Sequence, residues 1–208
     1  MTNVAVIYYS STGSTHRLAV AAAEAAHEQG AEVRLRKVAE FAATGRAGAS
    51  EHAAATADIP EATLEDLEWA DAVLLGSPVH FGLAAPQLMR FINTTSTLSI
   101  PGRLLAKAVS AFASGSAEHG GQVTTILALH NAICHWGSVI VATGSTDPVL
   151  YEKDNGNPYG AGTVAGDRPG FVHEANTRAI AYQTRRTIEV AAALTTSATV
   201  PVPATVAH

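Results

Sequence analysis

The chain has a single cysteine, Cys134, among its 208 residues. One cysteine excludes an internal disulfide and suits the reducing environment of the cytoplasm. We expect Cys134 to be a small buried apolar side chain. Met1 is followed almost directly by the first strand-like run, with no positively charged region or cleavage site, so the sequence predicts no signal peptide and a cytoplasmic location.

Positive charge is also scarce. The chain has 13 basic and 18 acidic residues, a net charge of −5, and no basic cluster that could follow a nucleic-acid backbone. Long hydrophobic runs are missing too, because the alanine-rich segment 19–26 is interrupted by Glu24 and falls short of the roughly 20 apolar residues that a membrane span needs. The sequence therefore predicts neither a nucleic-acid partner nor a membrane partner.

Several catalytic motifs are absent. The absence of G-x-x-x-x-G-K-[ST] argues against binding of a nucleoside triphosphate. The absence of G-x-G-x-x-G after the first strand argues against a pyrophosphate across that turn. The chain lacks the G-x-S-x-G of a hydrolase elbow. A phosphoryl receiver needs carboxylates after the first and third strands, where residues 9–10 and 76–77 provide none. The spacing of His119, His130 and His135 matches no metal-ligand pattern, so no metal site is predicted.

The most informative stretch lies near the N-terminus. Residues 4–9 are β-branched or aromatic and predict a strand, residues 10–16 form a small polar loop, and residues 17–29 predict a helix that Gly30 ends. The loop contains no Lys or Arg, so a bound phosphate would be held by backbone amides and hydroxyls. Each hydrogen bond to a charged group is worth about 1.5–3 kcal/mol, more than the 0.3–1 kcal/mol or so from the helix dipole. A monophosphate fits this loop best, and its donors are Ser10, Ser11, Thr12, Ser14 and Thr15 around Gly13.

The rest of the chain alternates strands and helices. Further strands are predicted at 32–36 (a sheet edge), 72–76, 104–113 and 139–142, and further helices at 63–70, around 88–92, from 123 to about 135, and at 174–194. The helix that starts at 123 is expected to bury Val123, Ile126, Leu127 and His130 on one side. Segments 39–60 and 143–170 are interpreted as long loops, with Asp167 as a solvated turn residue.

Five strands that alternate with helices predict an α/β fold, a doubly wound parallel sheet with helices on both faces. The edge-like second strand and the apolar first and third strands favour the order 2-1-3-4-5. Residues 1–194 would form one domain and residues 195–208 a loose tail. In such a sheet the ligand lies beyond the carboxyl ends of the strands, where the polar loops 10–16, 77–82 and 114–122 should meet.

Five separated motifs, YYSSTGST, SPVHFG, ASGSAEHGGQ, HWG and NPYGAGTVAG, together resemble the WrbA-type NAD(P)H:quinone oxidoreductases, which are FMN enzymes with a flavodoxin-like fold. The resemblance implies that residues 10–15 hold the FMN phosphate. It implies that the second loop lines one edge of the flavin ring and the third loop the other, with His135 reaching the open face from a neighbouring subunit. The implied ring contacts are Pro78, Val79, His80, Phe81, Gly82, Ser114, Gly115, Ser116, Ala117, Gly120, Gly121 and His135.

The same resemblance implies an activity. NAD(P)H would deliver hydride to FMN, leave, and be replaced by a quinone that takes two electrons, in a ping-pong scheme. His135, and second His80, are the candidate catalytic residues that would stabilise developing negative charge. The family is tetrameric, so a homo-tetramer or dimer is expected. The alternative is a flavodoxin-type electron carrier or flavin-binding regulatory module without turnover, which the modest charge and the long insertions disfavour.

Overall fold

The computed structural model describes residues 1–41 and 48–197. The strands are β1 (Asn3–Tyr8), β2 (Glu32–Lys37), β3 (Ala72–His80), β4 (Leu83–Ala84), β5 (Ala108–Gly115), β6 (Val139–Ile140) and β7 (Gly162–Val164). The α-helices are α1 (Ser14–Glu28), α2 (Ala49–Ala55), α3 (Leu64–Trp69), α4 (Pro86–Thr94), α5 (Ser96–Ser99), α6 (Gln122–Trp136) and α7 (Glu174–Ser197), and a 3₁₀ helix spans Pro148–Tyr151. Most of the predicted tail, residues 198–208, lies outside the described residues.

The main sheet is parallel, with the strand order β2-β1-β3-β5-β6. The predicted order 2-1-3-4-5 is confirmed, because the fourth and fifth predicted strands are β5 and β6. Two short strands complete the sheet. β4 pairs antiparallel with β3 as a hairpin, and β7 pairs with the carboxyl half of β5 while β6 pairs with its amino half.

The side chains of β1 alternate between two hydrophobic cores. Val4, Val6 and Tyr8 pack with α1 and α7 on one face, whereas Ala5 and Ile7 pack with α3, α4 and α6 on the other. Both faces of the sheet are therefore covered by helices, as predicted. Within the described ranges, no helix combines the length and the apolar character needed to cross a membrane.

Several predicted boundaries were wrong. The fourth predicted strand, 104–113, is β5 at Ala108–Gly115, α1 starts at Ser14 and not at residue 17, and the predicted loop 143–170 contains β7. The segment 39–60 was expected to be loop but contains α2, whose alanines favour a helix. The closing helix runs to Ser197, three residues beyond its predicted end, and the threonine hydroxyls of its last turn bond to carbonyls one turn earlier. Proline predicts a strand end, but β3 continues through Pro78 to His80. The proline is tolerated because it has no N–H to donate and only one edge of β3 is paired with a parallel strand at this point.

The buried face of α6 also differs from the prediction. Ile126 and His130 are buried as expected, but Val123 and Leu127 are exposed. The buried stripe is centred instead on Ile126, Leu129 and Ile133, since α6 is apolar on more than one side and its periodicity alone does not select a face. Cys134, on the outer side of the same helix, is exposed, so its expected burial was wrong.

A fully buried glutamine fills the gap between β6 and β7 along the edge of β5. Gln183 of α7 accepts a hydrogen bond from the Ala161 N–H at 2.7 Å and donates one to the Ala111 carbonyl at 2.9 Å. Gly160 makes this approach possible, because a Cβ there would lie 2.1 Å from the Ala111 oxygen. One side chain thus replaces the ladder hydrogen bonds that no strand supplies here.

Two histidines join α2 to the start of α1. The Tyr8 hydroxyl and Nδ1 of His16 share a hydrogen bond of 2.7 Å, and the His16 and His52 rings lie 5.4 Å apart, centroid to centroid. Burial, followed by the positive charge of His52, Arg17 and Lys37, lowers the pKa of His16 from 6.5 to about 4. His16 is therefore neutral at pH 7.

Replacement of Gln183 by Met should lower the free energy of unfolding by about 2–4 kcal/mol, because a buried N–H and a buried carbonyl each lose their partner. Urea denaturation measures the change. Gln29→Met, at an exposed position beyond α1, is the matched control and should stay within about 0.5 kcal/mol of wild type. Equal stability of the two variants would contradict the bridging role of Gln183.

Acidification should destabilise the fold through His16. Its folded pKa of about 4 lies below the unfolded value of 6.5, so below pH 6.5 the unfolded chain binds the proton first. Stability should be constant above that pH, fall by about 1–2 kcal/mol as the pH drops toward 4, and then level off. His16→Gln should flatten part of this slope, with the remainder owed to the other groups whose pKa is lowered in the folded protein, His52, His130, Glu40 and Asp66. Exposed His27→Gln should leave the slope unchanged, and a His16→Gln slope equal to wild type would refute the assignment.

Candidate functional site

A cleft opens at the carboxyl ends of β1, β3 and β5. Members of all three predicted loops line it, together with a segment near the end of the last long loop. We call it the carboxyl-edge cleft, and its lining residues are Ser11, Thr12, Ser14, Pro78, Val79, Ser114, Gly115, Ser116, Ala165, Gly166, Asp167, Arg168 and Pro169. The structure thus brings together parts of the sequence that lie more than 150 residues apart.

The first loop turns tightly into α1 around Gly13. Gly13 has φ of 105°, a left-handed conformation that glycine adopts without strain, and its N–H donates to the Ser10 hydroxyl at 3.1 Å. A Cβ at Gly13 would lie 3.1 Å from the Cα of Gly170. Glycine is therefore needed at position 13 both for the turn and for the close approach of a second backbone.

The hydroxyls of the first loop have different partners. The Thr15 Oγ1 and Ser114 Oγ atoms share a buried hydrogen bond of 2.7 Å, which ties the first loop to the end of β5. The Ser14 hydroxyl is buried and has no hydrogen-bond partner among the described residues. Leaving such a group unsatisfied costs about 1–3 kcal/mol, so its place in the cleft lining fits a ligand that accepts a hydrogen bond.

The second loop is a β-hairpin. Val79 pairs with Ala84 and His80 with Leu83, and the two turn residues Phe81 and Gly82 both have positive φ, 53° and 78°. This is the backbone of a two-residue hairpin turn, which glycine accepts but phenylalanine rarely does. The Phe81 ring is fully exposed at 106 %. A strained and solvated aromatic side chain at the rim of a cleft is typical of a binding position.

The third loop is folded by its own glutamine. Gln122, the first residue of α6, donates to the Ala117 carbonyl at 2.7 Å, and Gly120 donates to the same oxygen at 3.0 Å. Gly121 touches the hairpin turn, because a Cβ there would lie 2.8 Å from the Cα of Gly82. The second and third loops are therefore in direct backbone contact, as their expected convergence requires.

A fourth segment, residues 165–170, closes the cleft and was missed by the sequence reasoning. Its first residue, Ala165, donates to the Gly115 carbonyl at 2.8 Å, and its last, Gly170, lies against Gly13. Asp167 was expected to be a solvated turn residue; it is exposed but lines the cleft. The neighbouring motif NPYGAGTVAG pointed to this region, but it ends one residue before Asp167.

The Glu40 carboxylate forms a hydrogen-bonded cluster with Tyr9 and Gln87 beside the hairpin. Glu40 accepts hydrogen bonds from the Tyr9 hydroxyl at 2.5 Å and from the Gln87 side-chain amide at 2.6 Å. Burial opposes ionisation of Glu40, but these hydrogen bonds and the nearby His80 outweigh it, and the pKa of Glu40 is lowered overall. The cluster joins the segment after β2 to β1 and α4, and the edge of the His80 ring faces the Tyr9 ring at 6.4 Å.

His135 lies far from the carboxyl-edge cleft of its own chain. α6 starts at the cleft with Gln122 and runs 15 residues, so its last turn is about 20 Å away. This position follows from the direction of α6, which runs antiparallel to the strands. His135 is exposed and lines a separate cavity with Ile92, Ser99 and Trp136. Its expected role in the cleft of a neighbouring subunit stays a prediction.

Comparison with known proteins agrees with this architecture. Residues 2–146 match the family model described as NADPH-dependent FMN reductase. A protein from Deinococcus radiodurans named NAD(P)H dehydrogenase (quinone) is 42 % identical over 195 residues, which cover 92 % of this chain and 96 % of that protein. A protein of the same name from Geobacter sulfurreducens is 39 % identical over 202 residues, covering 92 % and 98 %.

Solved structures give the same fold. A protein from Agrobacterium tumefaciens described as a flavodoxin, WrbA-like protein, superimposes with a TM-score of 0.66 at 19 % identity and covers 93 % of this chain and 99 % of that one. An archaeal flavodoxin gives a TM-score of 0.56 at 16 % identity. Together with the match over residues 2–146 and the identity to the curated relatives, these findings place the chain in the NADPH-dependent FMN reductase family, among relatives named NAD(P)H dehydrogenase (quinone).

Proposed function

We propose that this chain is an FMN-dependent NAD(P)H:quinone oxidoreductase that binds FMN in the carboxyl-edge cleft. The observation that carries the assignment of the site is the buried Ser14 hydroxyl, which lines the cleft at the start of α1 and has no partner among the described residues. It is a donor in the position where the resemblance puts the FMN phosphate. The backbone amides at the start of α1 supply further donors.

When bound, FMN supplies the two-electron chemistry between NAD(P)H and a quinone. The chain's own residues position it. The Thr15–Ser114 hydrogen bond holds the first loop against the end of β5, and the hairpin at Phe81 and the turn at Gly121 form two contacting walls for the flavin ring. His80, beside the ionised Glu40, is the residue of this chain that could stabilise negative charge at the ring edge.

We further propose a homo-oligomer, a tetramer or a dimer, in the cytoplasm. Four large apolar side chains on the hairpin and the outer face of α6 are exposed, namely Phe81, Leu83, Val123 and Leu127. Burial of this face against another subunit would stabilise the assembly at roughly 25 cal/mol per Å². The expected role of His135, which is to reach the open face of the flavin in another subunit, also requires an oligomer. The exposed single cysteine is compatible with a reducing compartment.

The reaction itself is tested by turnover. The FMN-loaded protein should oxidise NADH or NADPH with benzoquinone as acceptor, with the parallel double-reciprocal lines of a ping-pong scheme. Steady-state absorbance at the reduced-nicotinamide band measures it. Absence of turnover in FMN-loaded protein would contradict the enzyme and leave the electron carrier or regulatory module.

The binding site is tested at Ser14. Ser14→Ala should weaken FMN binding tenfold to about a hundredfold, because one hydrogen bond to a charged phosphate is lost. Its free energy of unfolding should not fall, because Ser14 has no internal partner to lose. Fluorescence titration of the apo-protein and urea denaturation measure the two quantities.

Thr15→Val is the matched control. It also removes one hydroxyl of the loop, but one that is bonded to Ser114, so it should lower the free energy of unfolding by about 1–2 kcal/mol. If Ser14→Ala keeps wild-type FMN affinity, the phosphate does not bind at this loop.

A further inference from the structure

The first loop leaves the charge of a bound phosphate uncompensated. Residues 10–16 contain neither Lys nor Arg, so the hydroxyls and amides there donate hydrogen bonds but carry no net charge. A flavin phosphate carries between one and two negative charges at neutral pH. If FMN binds as proposed above, a cation is expected to approach the phosphate from another part of the chain.

The closing segment 165–170 brings an arginine to this place. It is fixed on both sides of the cleft, by Ala165 bonded to the Gly115 carbonyl and by Gly170 packed against Gly13. Between these anchors, Arg168 lines the same cleft as Ser14. The anchors are backbone contacts, so they hold Arg168 near the first loop whatever side chains surround it.

The guanidinium of Arg168 is positioned before any ligand arrives. Its carbon lies 3.2 Å from the centroid of the Phe171 ring, and the Phe171 ring is in turn packed edge-on against His173 at 4.6 Å. Stacking on a ring face uses the flat side of the guanidinium and leaves its in-plane N–H donors available. Arg168 forms no ion pair with another residue in ranges 1–41 and 48–197.

We propose that Arg168 is the ionic partner of the FMN phosphate, a binding residue held in place by Phe171. Two other charges are near. The Arg17 guanidinium lies beside Gly170, but Arg17 does not line the cleft. Asp167 does line it and opposes an anion there, so the phosphate is bound only if Arg168 and the neutral donors outweigh this carboxylate. Arginine suits this role because its donors match the oxygens of a phosphate in pairs.

The test compares FMN with riboflavin, which lacks the phosphate. Apo-protein with Arg168→Gln should bind FMN at least about tenfold more weakly than wild type and bind riboflavin equally well, because only the phosphate contact is lost. Raising the salt concentration from about 0.05 M to about 0.5 M should weaken FMN binding less in this variant than in wild type, since an ion pair is screened by salt. Arg168→Lys should recover part of the affinity, because the charge is kept and the paired geometry is lost.

Arg103→Gln is the matched control. It removes the same charge at the opposite end of the sheet, where Arg103 pairs with Glu68, and should leave FMN affinity unchanged. Urea denaturation of Arg168→Gln checks that the closing segment is not destabilised.

Three outcomes would overturn the proposal. If Arg168→Gln bound FMN as tightly as wild type, Arg168 would not form an ionic contact with the phosphate. Equal weakening of FMN and riboflavin would show that Arg168 acts through packing. A raised KM for NADPH but not NADH, with FMN affinity intact, would assign Arg168 to the extra phosphate of the coenzyme. None of these affects the proposed function, which fails instead if the wild-type protein itself does not bind FMN.

Discussion

The buried hydrogen bond between Thr15 and Ser114 is the contact on which the candidate site depends. It joins the first turn of α1, which follows β1, to the end of β5, and β1 and β5 are separated in the sheet by β3. Because the two hydroxyls bond to each other, they hold the two loops together, while the buried Ser14 hydroxyl has no hydrogen-bond partner among the described residues. Fixed spacing of donors is what allows a site to bind an anion without reorganising first.

Close contacts between glycine backbones also hold the segments around the cleft in fixed relative positions. A Cβ at Gly121 would lie 2.8 Å from the Cα of Gly82, closer than real Cβ contacts, and a Cβ at Gly13 would lie 3.1 Å from the Cα of Gly170, which is tight. The third loop therefore contacts the hairpin by main chain, and the first loop contacts the closing segment in the same way. In the proposal above, positive charge for a bound phosphate comes from Arg168, which lies on a segment that packs against the first loop.

The first half of this site could be predicted from the sequence. A β-branched strand, a hydroxyl-rich turn and an amphipathic helix are local patterns, and parallel topology then places the three loops at one edge of the sheet. The closing segment could not be found in this way, because its position depends on Gly13 and Gly115, which lie far away in the chain. The true extent of β3 was hidden by Pro78, and the buried face of α6 by a helix that is apolar on several sides.

β6 and β7 pair with the same strand, β5, and this arrangement indicates where the chain could accept an insertion. β6 and β7 are both anchored to β5, and Gln183 spans the interval between them, so the polypeptide that leaves the sheet at Ile140 returns to the same strand at Gly162. Its outermost part, around Tyr151 and Gly156, is exposed. Insertions placed at that tip would leave the strand pairing and the carboxyl-edge cleft undisturbed. A second domain or a linker could therefore be attached to this loop.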